Sequence, residues 1–110
     1  MNEEKILSRK LTTLFQDDLV RAEAVALLEA YGTESYEQEP PRVRLAILKL
    51  TGPDLSQIKK YTDMARQDYR DILAWAEYPR QSKKWSVPDG PKKKKIMDED
   101  RAEYEAWLNI

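Results

Sequence analysis

Asp68 and Asp71 stand three residues apart, with Arg66 and Arg70 beside them. On one helix that spacing puts both carboxylates on the same side. Such a pair can hold Mg²⁺ or supply a general base. Glu34 and Glu37 repeat the spacing in a polar stretch. Both pairs also read as solvated surface with local ion pairs, an arrangement that is common and worth little. The expectation follows that second reading, and neither a catalytic residue nor a metal ligand is assigned.

The residue types that are missing narrow the chemistry further. The 110 residues contain no histidine and no cysteine. The commonest base, the commonest metal ligand and the best nucleophile are therefore absent. Disulfides and zinc–thiolate sites within the chain are excluded as well. Gly32, Gly52 and Gly90 lie too far apart to form a phosphate-binding loop. Asp98, Glu99 and Asp100 lack the glycine and the spacing of a calcium loop. The chain is expected to be no enzyme and to need no cofactor.

What remains is surface chemistry of two kinds. Trp75 and Tyr78 lie three residues apart, Trp85 follows, and Trp107 and Leu108 close the chain. Trp and Tyr give a large contact area with a polar handle and dominate binding hot spots. Lys83 and Lys84 flank Trp85 on one side, and Lys92, Lys93, Lys94 and Lys95 follow on the other. Lysines can meet phosphates while a ring stacks on an unpaired base.

Charge is unevenly placed around a net value of −1. Residues 1–40 hold four basic and nine acidic side chains, and residues 79–97 hold seven basic and one acidic. Residues 98–110 hold one basic and five acidic side chains, so one basic segment sits between acidic ones. The overall balance argues against a protein devoted wholly to nucleic acid.

The elements that must carry these residues read as helices. Leu7, Leu11, Leu14 and Phe15 form an amphipathic stripe over about 2–15. The phase breaks near Asp17 and Asp18, either of which can cap a second helix running to Tyr31. Gly32 ends that helix, and its nearly all-round apolar surface places it centrally. Pro40 and Pro41 open a third helix, and Gly52-Pro53 stops it. Asp54 caps the longest helix, from about Leu55 to Tyr78, with a seam through Ile58, Thr62, Ala65, Tyr69, Ile72 and Ala76. Thr62-Asp63 offers a place for a kink in it, since both residues favour caps over helix interiors. Residues 80–97 read as a basic loop, and 98–108 as a short helix with Tyr104, Trp107 and Leu108 on one face.

The expected fold is all-α, a small helical bundle of four main helices plus a short C-terminal one. Residues 1–79 form its core, 80–97 the basic loop, and 98–110 a helix docked on the core or on a partner chain. No apolar run approaches the ~20 residues of a membrane span, and the start Met-Asn-Glu-Glu-Lys lacks the pattern of a signal peptide. The expectation is a soluble, cytoplasmic, non-enzymatic protein-interaction module that does not engage membranes. Its partner-binding residues are Trp75, Tyr78, Trp85, Trp107 and Leu108, and its partner is another protein or a second copy in a homodimer. The alternative is a nucleic-acid-binding module using Lys83, Lys84, Lys92, Lys93, Lys94 and Lys95.

Overall fold

Three of the first four helices begin where a short polar side chain accepts hydrogen bonds from free amides. Asn2 accepts from the Lys5 amide, Asp17 from Leu19 and Val20, and Asp54 from Ser56 and Gln57. Each cap satisfies donors that the first helical turn leaves open. The computed structural model describes residues 2–83 and 90–110 and shows an all-α fold with no strand among them. The helices are α1 Glu3–Leu14, α2 Asp18–Glu29, α3 Pro40–Thr51, α4 Leu55–Gln67, α5 Tyr69–Glu77, α6 Pro79–Lys83 and α7 Pro91–Leu108. Among the described residues, no helix is long and apolar enough to cross a membrane.

The core gathers around α3. Val43 and the run Leu45, Ala46, Ile47 and Leu48 are all buried. Four successive buried residues cover the whole circumference of a helix, so α3 needs neighbours on several sides. It packs against α1, α4 and α5. Leu11 and Phe15, Ile58 and Ala65, and Ile72 and Ala76 fill the space from those helices. The centre was expected to be α2 and α3 together, but α2 lies further out. Only Ala24 and Leu28 of α2 are buried, while Leu19 is 83% exposed. Ala22 and Ala26, which widen the apolar surface of α2, offer little area to bury.

The long helix expected over 55–78 is two helices. The backbone is extended at Asp68 (φ −157°, ψ 101°), which ends α4 and caps α5 by accepting from the Arg70 amide. An aspartate that bonds the backbone two residues on offers the chain an alternative to the helix ladder. The break falls there and not at Thr62-Asp63, where Thr62 sits buried within α4. It lets Ile58 and Ala65 on one segment and Ile72 and Ala76 on the other join the same core.

Residues 80–97 also differ from the expected loop. Pro79 opens α6, and Pro91 opens an 18-residue α7 that contains the whole lysine run. Proline suits the first helical position, and lysine is a good helix former. The C-terminal helix therefore starts seven residues earlier than Asp98. Lys84 and Trp85, expected in the basic loop, lie outside the described residues.

Charged side chains fasten these helices to one another. Arg42 of α3 forks onto Glu77 of α5 through bonds of 2.8 and 2.6 Å. Asp100 of α7, fully buried, accepts from the amides of Arg80 and Gln81 and from both their side chains, each at 3.1 Å. It thereby caps α6 from across the fold. Lys10 of α1 donates to the carbonyls of Trp107 and Ile110, and Arg9 to that of Leu108. Cations there meet the negative end of the α7 dipole.

Candidate interaction surface

The aromatic residues singled out in the sequence take different positions. Trp75 on α5 is 39% exposed and stands edge-on to Tyr61, with ring centroids 6.4 Å apart. Together with Pro79, Ser82 and Lys83 it lines a hollow of about 280 Å³. Tyr78, 42% exposed, lines a separate hollow of about 270 Å³ with Glu77, Arg101, Tyr104 and Leu108. Trp107 and Leu108 are committed to the chain's own body. Leu108 is buried, and Trp107 stacks on Tyr104 beneath the Lys10 ammonium, 4.3 Å from its ring centre. Burial, and then the Arg9 charge beside it, draw that ammonium below its usual pKa. The structure thus brings Tyr78 and Leu108 to one hollow and sets Trp75 at another.

The lysines form the first turn of α7. Lys92, Lys94 and Lys95 are exposed, and Lys83 ends α6. Gly90 precedes α7 and supplies no side-chain cap. Four cations at the positive end of a helix dipole repel it, so an acidic partner there relieves an unfavourable field.

The carboxylate pairs serve the fold. Asp68 lies at the break and holds the Arg70 guanidinium at 3.0 Å, so it does not share a helix face with exposed Asp71. Glu37 is buried. One of its oxygens accepts from the amides of Gly32, Thr33 and Glu34 and from the Thr33 hydroxyl, and the other from Arg66 at 3.1 Å. Burial pushes its carboxyl up, but the amides and Arg66 outweigh that and hold it below the usual value. Among the described residues, no cluster of three or more acidic side chains is arranged to hold a metal ion.

A hollow of about 550 Å³ lies between α1 and α2, with Pro41 and Arg44 of α3 at one end. Leu7, Leu11, Val25 and Leu28 give it an apolar floor, and Glu4, Asp18 and Glu29 give it an acidic rim. Two arginines also line it, but both are engaged. Arg21 pairs with Asp18 and donates to the Phe15 carbonyl, and Arg44 caps α2 through the Leu28 and Tyr31 carbonyls. Among the described residues, Glu4 and Glu29 have no ion-pair partner. Sequence reasoning missed this groove because its floor residues read as two core stripes. The available signal was the acidic excess on those same two helices.

No protein-family model, no curated protein and no solved structure matches the chain.

Proposed function

We propose that this protein works by binding rather than by catalysis, as an interaction module whose main docking surface is the α1–α2 groove. Its partner presents a basic amphipathic helix. The observation that carries the reading is an apolar floor of leucines and valine under a rim whose free charges are carboxylates. Apolar helix faces dock in such grooves through residues spaced three and four apart, and complementary charge sets their register. Trp75 on α5 and Tyr78 just beyond its end, both part-exposed, provide further contact points at two separate hollows. The lack of cysteine supports a reducing, cytoplasmic setting.

Amide NMR shifts test the reading directly. The protein is titrated with a synthetic four-turn peptide carrying leucines on one face and lysines on the other. Shifts should cluster at Leu7–Thr12 and Arg21–Glu29. Shifts confined to Trp75–Lys83 would move the docking surface to the aromatic patch, and no shifts at all would remove the reading.

One observation favours a second reading, nucleic-acid binding. It is the exposed lysine turn that opens α7 without a side-chain cap. On that reading, replacing Lys92–Lys95 with glutamine abolishes binding to a single-stranded oligonucleotide, and the affinity of the unaltered chain falls steeply with salt.

A further inference from the structure

The groove asks for cations around an apolar anchor on one helix, and one flank of α7 carries both, although the whole helix holds five basic and five acidic side chains. The first nine residues of α7 include no buried side chain. The helix runs about 27 Å at 1.5 Å per residue, and the molecule measures 48 × 29 × 24 Å. Along one flank of α7, beside the side that packs on the body, Lys94, Met97 and Arg101 follow at i, i+3 and i+7, all exposed. Met97 is 43% exposed between two cations that have no ion-pair partner among the described residues. Met adapts to irregular apolar surfaces, which suits an anchor of this kind.

Resting on the reading of the groove as a docking surface, we infer that its occupant is the α7 helix of a second copy. Met97 of one copy seats on the Leu7–Val25 floor of the other, and Lys94 and Arg101 meet Glu4 and Glu29. Charge complementarity selects this occupant. Residues 1–40, which hold α1 and α2, carry four basic and nine acidic side chains, and the stretch that opens α7, residues 91–97, carries four lysines and no acidic side chain before the helix turns acidic. Each copy owns one groove and one such helix, so a two-fold arrangement satisfies both at once and closes the assembly.

Sedimentation velocity on the full chain, freed of nucleic acid by nuclease, tests the inference. Two variants are made at exposed positions, Glu4→Lys/Glu29→Lys and Lys94→Glu/Arg101→Glu, and each is checked for native circular dichroism. The unaltered chain should sediment as a dimer at about 50 mM salt and lose about tenfold in affinity at about 500 mM. Each variant alone should be a monomer, because its groove and its α7 then carry the same sign. Mixed together they should form a heterodimer, since each groove now opposes the other copy's helix. A monomeric unaltered chain, or a dimer that survives both reversals, overturns the second-copy assignment. The NMR titration separates the two levels: groove shifts with a monomeric chain leave the docking surface standing and remove only this occupant.

Discussion

Replacing Asp100 with asparagine changes one oxygen to an amide and removes one charge at a fully buried site. The oxygens of Asp100 divide four donors between them, two from Arg80 and two from Gln81. Asparagine keeps one acceptor and turns a donor toward the other pair. Two bonds are lost, at the low end of the range for hydrogen bonds to a charged group because Arg80 also lies within 3.5 Å of Glu99 and Glu103. The expected loss of stability is about 3 kcal/mol. That figure agrees with the roughly 3–5 kcal/mol cost of breaking a buried ion pair from one side. For a chain of this size it corresponds to a fall of about 12 °C in melting temperature. Acid should shrink the difference. Burial raises the Asp100 carboxyl, but the amides and side chains of Arg80 and Gln81 outweigh it and hold it below its ordinary value. A carboxylate with a depressed folded pKa contributes its stability above the unfolded value, and that contribution is lost as pH falls below about 4. The two proteins should therefore converge at low pH. Urea unfolding followed by far-ultraviolet circular dichroism measures the loss, and hydrogen exchange at the Arg80 and Gln81 amides locates it. A loss under about 1 kcal/mol, or unchanged exchange at those amides, would refute the view that Asp100 caps α6 and fastens α7.

Three further substitutions follow from the same structure. Lys10→Met keeps the buried stem but removes the donor to the Trp107 and Ile110 carbonyls; it should cost about 1.5 kcal/mol by urea unfolding and alter the near-ultraviolet dichroism of Trp107. Thr62→Val should stabilise the protein by about 1 kcal/mol in the same assay, because the Thr62 hydroxyl is buried in α4 with no hydrogen-bond partner among the described residues. Gly32→Ala should cost about 2 kcal/mol and lower the melting temperature. Gly32 has φ +105°, and an added Cβ would lie 2.9 Å from the Pro40 ring.

The bounds of α2 and α3 were legible where capping and breaking residues write them, at Asp17, Pro40 and Gly52, whereas α2 stops at Glu29, short of the expected Tyr31 and Gly32. The break at Asp68 was not legible, because the apolar seam steps by threes and fours straight across it. An aspartate among helix formers does not announce whether its carboxylate faces solvent or its own backbone. Pro91 was ambiguous for a related reason, since proline both stops a helix and opens one. Trp107 and Leu108 were readable as a docking anchor. Their receiving surface was not, because Arg9 and Lys10 look like ordinary solvated charges until the α7 carbonyls are placed against them. The groove depends on the space left between two helices, which no periodicity encodes. Leu7 and Val25 only report that each helix has an apolar side.

Site-specific photo-crosslinking from the groove tests the central claim most directly. A benzoylphenylalanine replaces exposed Ser8, which lines the groove, and in a control replaces exposed Arg70 on α5. A covalent dimer should form from position 8, joined to a peptide containing Met97, and none from position 70. Adducts from position 70 alone, or no adduct from position 8, would contradict it.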